Sequence, residues 1–214
     1  MSKDPHEASR KHLLKDAHLG SFIKSHGPIT HRRQHAMNAF QSLAEAIVYQ
    51  QLSGKAAATI LKRFVDLFAD NPTSPKASKG KTFPSPEQVL KIKVEKLRAV
   101  GLSGQKASYL KDLALKFKDG TINPKLFPTM TDAEILAHVT AVKGIGQWSG
   151  QMFLMFTLAR PDVLPTGDLG IQKAFQKLFN LRSKPSPERM EKLARVWAGH
   201  RTVACFYLWR LLDQ

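Results

Sequence analysis

Apolar residues recur at the three-to-four-residue spacing of an α-helix along almost the whole chain, and this periodicity limits the possible folds most strongly. One clear stripe consists of Phe40, Leu43, Ala44, Ile47 and Val48. No segment shows the sustained alternation of a half-buried strand. A chain of 214 residues, 43% of them hydrophobic, can bury one core or two small lobes. We therefore predict an all-α fold of roughly ten helices.

Several residues along this pattern favour the start of a helix. Pro86 suits the first turn of a helix, and Thr131 suits an N-cap. Asp168 directly precedes another helical pattern, and the last helix is expected over residues 201–212. By contrast, the polar and basic residues 71–81 predict a loop.

Two glycines one residue apart, Gly144 and Gly146, lie between two helical patterns. A tight hairpin at this point would turn backbone N–H groups outward, where they can bind a phosphate oxygen. Asp168 follows after enough residues for one helix and a returning loop. A phosphate clamp beside a carboxylate suits a protein that holds a nucleic-acid backbone. Two other readings stay open: an ordinary glycine-rich connection, and an Asp168 that only caps the next helix.

The charge balance favours a polyanionic partner. Lys and Arg number 33 against 17 for Asp and Glu, giving a formal charge of +16. An acidic membrane surface or a merely solubilising charge would also fit. However, no apolar run reaches transmembrane length and the N-terminus is polar. We expect an intracellular protein without a membrane partner, located in the nucleus if the source is eukaryotic and in the cytoplasm otherwise.

The few residues that could bind a metal or form a disulfide do not form a recognisable pattern. Cys205 is the single cysteine, which excludes an intrachain disulfide and a cysteine-ligated iron–sulfur cluster. Its apolar surroundings predict a buried packing thiol. His31 and His35 have a spacing used in metal sites but lack a third ligand nearby. We interpret them as solvent or phosphate contacts.

Taken together, the motifs resemble a known family. The segment Val142-Lys143-Gly144-Ile145-Gly146-Gln147-Trp148-Ser149, followed by Pro165-Thr166-Gly167-Asp168, is similar to the helix–hairpin–helix plus Gly/Pro…Asp signature of DNA glycosylases. Within that superfamily it resembles the compact alkyladenine (3-methyladenine) branch. Three further blocks match, over about residues 37–210: Tyr49-Gln50-Gln51-Leu52-Ser53-Gly54-Lys55-Ala56-Ala57; Gly101-Leu102-Ser103 with Lys106-Ala107; and Trp197 with Arg201-Thr202-Val203-Ala204 and Tyr207-Leu208-Trp209.

This resemblance implies an architecture and a set of partners. The fold would be a compact two-lobed helical domain over residues 1–214, with a DNA-binding cleft between the lobes. One lobe would comprise residues 1–35 and 150–214, and the other residues 36–149. The partner would be double-stranded DNA with an alkylated base or an abasic site. We expect a monomer that requires no cofactor.

The resemblance also assigns roles at the catalytic and phosphate-binding positions. Asp168 would be the catalytic carboxylate, stabilising the positive charge that develops on the sugar and orienting a water molecule. The phosphate contacts of the hairpin would come from Lys143, Gly144, Ile145 and Gly146. In this family a monovalent cation often joins the hairpin to the phosphate, here through the carbonyls of Val142 and Ile145.

A wedge and a base pocket complete the implied site. Leu52, flanked by Gln51 and Ser53, would enter the minor groove and fill the gap left by a flipped nucleotide. The other reading of Leu52 is ordinary core packing. The implied pocket for the extruded base consists of Trp148 and Trp209, with Met152 and Tyr207 as secondary candidates. The indole faces of the two tryptophans would favour a cationic alkylated purine. Tryptophan in an apolar helix is also commonly a core residue.

The expected outcome is base removal without strand cleavage. Glycosylases that also cut the strand carry a lysine two residues after the second hairpin glycine, where this chain has Trp148. Several departures favour an alternative, in which the protein recognises abasic DNA and excises nothing. Ser149-Gly150 replaces the usual Thr-Ala, and this glycine is expected to loosen the helix behind the pocket. A third reading is an unrelated basic helical module.

Overall fold

The computed structural model describes residues 4–29, 38–68 and 83–213. Within these ranges every regular element is a helix, which confirms the all-α prediction. The predicted loop at 71–81 and the residues His31 and His35 lie outside the described residues. The α-helices are α1 (Glu7–Leu13), α2 (Leu19–His26), α3 (Ala39–Tyr49), α4 (Gly54–Asp66), α5 (Pro86–Lys91), α6 (Val94–Ala99), α7 (Gly104–Lys118), α8 (Asp132–Thr140), α9 (Gln147–Met152), α10 (Leu169–Leu178), α11 (Pro187–Leu193) and α12 (Arg201–Leu212). Two 3₁₀ segments, Pro124–Thr129 and Ala194–Trp197, and a π-helical turn, Phe153–Thr157, complete the set.

The helix starts follow the capping signals in the sequence. Helix α5 begins at Pro86, as predicted, and Ser85 caps it. Thr131 caps α8 with a reciprocal pair of bonds: its Oγ1 accepts from the N–H of Glu134 at 3.2 Å, and Glu134 Oε2 accepts from the N–H of Thr131 at 2.7 Å. These bonds satisfy N–H groups that the first turn of a helix leaves unpaired.

The chain divides into two compact units, which are described separately. One unit lies within residues 35–153, and the other within 1–34 and 154–214. The resemblance placed the lobe boundaries after residues 35 and 149. The boundaries of these units fall after residues 34 and 153, which is a difference of one residue and of four residues.

The unit within residues 35–153 is built around α3 and α7. Helix α7 also packs against α5 and α6, and α3 packs against α4. Leu43 and Ile47 of α3 and Leu110 and Leu113 of α7 are fully buried, as their helical spacing predicts.

Helix α8 packs against α9 in the same unit, and Gly150 lies at their contact. A Cβ atom at Gly150 would lie 2.7 Å from Leu136 Cδ2 and 3.2 Å from Val139 Cγ2. Glycine therefore allows α9 to approach α8 closely. The sequence suggested that this glycine loosens the helix, whereas the structure gives it a packing role.

The unit within residues 1–34 and 154–214 surrounds α12. This helix packs against α10, α1 and α2, and its residues 202–208 are all buried. Cys205 is fully buried, and burial raises the pKa of its thiol, which confirms the packing role. In the part of the chain that the structure describes, no helix has the length and apolar character to cross a bilayer.

Candidate functional site

The loop before α10 ends in Asp168, which serves as the N-cap of that helix. The Asp168 N–H donates to the carbonyl of Pro165 at 3.0 Å, which closes a turn. Oδ1 of Asp168 accepts a hydrogen bond from the N–H of Ile171 at 2.8 Å. The capping role expected for this residue is therefore present. It also fixes the direction of the carboxylate.

A second donor reaches the same oxygen. Nε1 of Trp209 on α12 donates to Asp168 Oδ1 at 3.0 Å. Gly170 permits this approach, because a Cβ there would lie 3.0 Å from Asp168 Oδ1 and 3.1 Å from Trp209 Cδ1. Two of the residues chosen from the sequence are thus in direct contact, although 41 positions separate them.

Trp209 is held by a group of stacked aromatic rings. The ring centroids of Phe156 and Phe206 lie 6.0 and 6.2 Å from the ring centroid of Trp209, with interplanar angles of 21° and 26°. Phe156 lies in the π-helical turn and was not predicted from the sequence as a site residue. Such turns often occur at functional sites. The stacking restricts the plane of the indole that faces Asp168.

The loop that carries Asp168 is fastened to the first turn of α12. Arg201 donates from Nε to Asp162 Oδ1 at 2.7 Å and from Nη2 to Asp162 Oδ2 at 2.5 Å. These hydrogen bonds hold the pKa of the Asp162 carboxyl below its ordinary value. Thr202 Oγ1 accepts from the N–H of Val163 at 3.0 Å and donates to the carbonyl of Arg160 at 2.6 Å. Arg201 and Thr202 lie in one of the sequence blocks that resemble the family, but the sequence of that block does not predict which residues they bind.

Tyr207 does not line an open pocket, contrary to the sequence-based prediction. Its side chain is 1% exposed, and its hydroxyl donates to the carbonyl of Gly27 at 3.0 Å. Burial raises the pKa of the Tyr207 phenol. The helical register of α12 directs this residue into the core of its unit.

The predicted hairpin connects α8 to α9, and its two glycine positions differ in whether another residue would fit there. Gly144 has φ +84°, and a Cβ there would overlap the ring of Tyr109. Gly146 is the N-cap of α9 with φ −94°, and a Cβ there would meet nothing within 4 Å. Only Gly144 therefore needs to be glycine for backbone and steric reasons.

The polar groups of the hairpin are only partly available to a ligand. The N–H of Ile145 donates to the carbonyl of Val142 at 3.1 Å, and both side chains are buried. This bond removes Ile145 from the set of phosphate donors that we predicted. The N–H of Lys143 donates to Asp112 Oδ2 at 2.8 Å, while the Lys143 residue itself is exposed. Gly144 and Gly146 are also exposed.

The predicted wedge lies at the corner between α3 and α4. Leu52 is 39% exposed, so it does not pack in the core. Gln51 before it adopts φ +55°, an uncommon conformation for a residue other than glycine. Ser53 caps α4 by accepting from the N–H of Ala56 at 3.4 Å. The corner therefore presents an exposed leucine between a strained residue and a helix cap.

The remaining pocket candidates are on α9, within the 35–153 unit. Trp148 is 51% exposed and Met152 is half-buried. Their spacing of four residues places both on one face of the helix. Trp209 and Asp168 belong to the other unit. Among the described residues, no three His, Cys, Asp or Glu side chains gather as metal ligands would.

Comparisons with known proteins agree with these motifs. Residues 44–199 match the family model described as HhH-GPD superfamily base excision DNA repair protein. The alkylbase DNA glycosidase-like protein mag2 of Schizosaccharomyces pombe is 31% identical over 216 residues, covering 99% of this chain and 96% of that protein. The Bacillus subtilis protein YfjP is 30% identical over 82% of this chain, but the chain spans only 60% of its length. The solved structure of the Schizosaccharomyces pombe 3-methyladenine DNA glycosylase Mag1 with abasic DNA matches with a TM-score of 0.79 and 30% identity, over 97% of both chains.

Proposed function

We propose a repair function for this chain, which belongs to the HhH-GPD superfamily of base excision DNA repair proteins. The chain binds duplex DNA that contains an alkylated purine and hydrolyses the N-glycosidic bond of that base. It leaves the strand intact and acts as a monomer. The observation that carries this proposal is the hydrogen bond from Trp209 Nε1 to Asp168 Oδ1. It joins a carboxylate to an aromatic residue of the kind that binds cationic bases.

Asp168 performs the central chemical step in this proposal. Cleavage of the glycosidic bond leaves a sugar with oxocarbenium character, and a nearby carboxylate lowers the free energy of that cation. The donors from Ile171 and Trp209 hold the carboxylate in one direction. A carboxylate that is already oriented needs no reorganisation during the reaction. It also orients the attacking water.

The hairpin and the wedge hold the DNA. The exposed Gly144, Gly146 and Lys143 bind the backbone phosphate beside the lesion, because main-chain N–H groups and a lysine attract phosphate oxygens. Leu52 fills the space of the extruded nucleotide and offsets the lost stacking.

A monovalent cation at the hairpin is a finer part of the same proposal. Its ligands would be the carbonyl oxygens of Val142 and Ile145, a ligand type that such ions accept. Val142 O already accepts one hydrogen bond from Ile145 and has a second lone pair for a ligand. The Val142 oxygen therefore fits the ion. It would add positive charge where the phosphate binds.

Trp209, which contacts Asp168, receives the base. Alkylation at a ring nitrogen makes a purine cationic, and an indole face attracts a cation by about 0.5–2 kcal/mol. An alkylated base is also a good leaving group. The site therefore needs no strong acid to protonate it.

Release of the free base tests the proposal directly. Wild-type protein is incubated with methylated duplex DNA, and released 3-methyladenine and 7-methylguanine are quantified. Asp168→Asn is expected to slow release by about 100-fold or more while DNA binding stays nearly unchanged. Release by this variant at the wild-type rate would instead indicate that Asp168 acts only as a helix cap, a role that Asn also fills.

A second candidate function is recognition of abasic DNA without excision. It is favoured by the near full-length similarity to a protein named glycosidase-like, and by Met152 at a position where an aromatic residue can line the pocket. This candidate predicts tight binding to an abasic duplex, no released base, and an identical result for Asp168→Asn. The same incubation with methylated DNA therefore separates the two functions.

A further inference from the structure

The corner that carries Leu52 is anchored through its main chain. Lys106 on α7 donates from Nζ to the carbonyl of Val48 at 2.8 Å and to the carbonyl of Gln50 at 2.6 Å. Both carbonyls are at the C-terminal end of α3, where the helix cannot satisfy them itself. A cation is also favourable at this end of a helix. Lys106 therefore fixes where α3 ends and the corner begins.

The side chain of Gln50 connects this corner to the hairpin. Its Nε2 donates to the carbonyl of Gly144 at 2.7 Å, across 94 positions of sequence. The acceptor belongs to the glycine whose positive φ sets the turn. One residue therefore has its main chain bound to α7 and its side chain bound to the hairpin.

Helix α7 supports the hairpin as well. The ring of Tyr109 lies against Gly144, and Asp112 accepts from the N–H of Lys143 at 2.8 Å. Lys106, Tyr109 and Asp112 are spaced three residues apart and share one face of the helix. The corner and the hairpin thus rest on a common support, and Gln50 is the direct connection between them.

We propose that Gln50 is a positioning residue that fixes the spacing between the phosphate-binding hairpin and the Leu52 wedge. This inference rests on the proposed DNA-binding function of those two loops. Unstacking a nucleotide costs a few kcal/mol, so a wedge must resist being pushed back. Gln51 already holds the corner in a strained conformation. Without the Gln50 bond the corner relaxes when it meets the base stack.

Wedge insertion can be measured without base excision. The probe is a duplex with a tetrahydrofuran abasic analogue next to 2-aminopurine, whose fluorescence rises when the wedge unstacks it. Gln50→Met removes the donor and keeps the side-chain length. Gln41→Met is the matched control, since the side-chain amide of Gln41 on α3 donates to Glu45 one turn away. If Gln50→Met does not fold, Gln50→Asn, which is too short to reach Gly144, replaces it.

The expected result for Gln50→Met is an insertion rate about five-fold or more below wild type, the effect expected from one lost hydrogen bond. Gln41→Met should match wild type. A Leu52→Ala variant lacks the wedge, so its affinity for the abasic duplex should be unchanged when Gln50→Met is added. A purely structural role would instead weaken DNA binding in this background as well, and that outcome overturns the proposal.

The same assay separates this inference from the proposed chemistry. If wild type inserts its wedge with the stated Gln50 dependence but releases no methylated base, the excision proposal fails and the positioning role stands. If wild type leaves 2-aminopurine fluorescence at the level of free DNA, the wedge itself is refuted and the role of Gln50 is refuted with it.

Discussion

Trp209 donates its indole N–H to Asp168 Oδ1 at 3.0 Å, and the same oxygen accepts the N–H of Ile171 at 2.8 Å. The proposed catalytic carboxylate is therefore held by one donor from the helix that follows it and by one from α12. Trp209 has two roles in this arrangement. Its ring belongs to the proposed base pocket, and its N–H orients the carboxylate that stabilises the sugar cation.

Replacing Trp209 with Phe should separate these roles. Trp209→Phe keeps an aromatic ring stacked on Phe156 but removes the donor, so excision should slow about ten-fold, as expected for a lost bond to a charged acceptor. Binding to abasic DNA should weaken far less. Tyr207→Phe on the same helix is the control. It removes the bond to Gly27 and should lower stability by about 1 kcal/mol without changing the rate of single-turnover excision.

Asp168 should contribute to stability as a helix cap and to catalysis as a charged carboxylate. Asn is as good an N-cap as Asp, so Asp168→Asn should fold with nearly wild-type stability. Asp168→Ala removes the cap and should lower the free energy of unfolding by about 0.5–2 kcal/mol. Urea denaturation of the three proteins provides the measurement. Equal stability of the Ala variant would contradict the capping role seen at α10.

The Asp162–Arg201 pair should make stability depend on acid pH. The Arg201 hydrogen bonds keep the pKa of Asp162 below 3.8 in the folded chain. This stabilisation is therefore complete above about pH 5 and is lost as the pH falls through the lowered folded-state value. Asp162→Asn should reduce the loss of stability between about pH 5 and pH 3, measured by denaturation at each pH. In an Arg201→Met background the Asn substitution should alter the slope less, because the backbone N–H of residue 201 still donates to Asp162.

The two hairpin glycines should respond differently to alanine. Gly144→Ala forces a side chain into a positive φ and against Tyr109, which should cost about 1–3 kcal/mol. Gly146→Ala meets open space at an ordinary φ and should melt within a few degrees of wild type. Thermal denaturation of the two variants compares them directly. A larger loss for Gly146→Ala would show that the hairpin is not held as described.

The helices and their caps could be predicted because both are local properties. The stripe on α3, the starts at Pro86 and Thr131 and the extent of α12 all follow from spacing and side-chain chemistry within one turn. The burial of Cys205 follows from its apolar neighbours in the same way. These features depend on residues a few positions apart.

Tyr207 and Ile145 show where local reasoning fails. Each lies in a matched block, but the angular position of Tyr207 on α12 directs it into the core. The short turn at the hairpin uses the N–H of Ile145 internally. Sequence similarity to a family does not show which face of a helix is buried by the helices packed against it. It also does not show which backbone N–H groups are hydrogen-bonded within a turn.

The sequence by itself determined that the chain is helical, where the helices begin, and that its glycine pair and downstream aspartate belong to one family of DNA repair proteins. Only the tertiary structure decided which partners hold those residues: Trp209 on Asp168, Arg201 on Asp162, and Gln50 on Gly144. These contacts join residues from 39 to 94 positions apart. Helical periodicity repeats every few residues and contains no information about such distant pairs, which depend on how the helices pack.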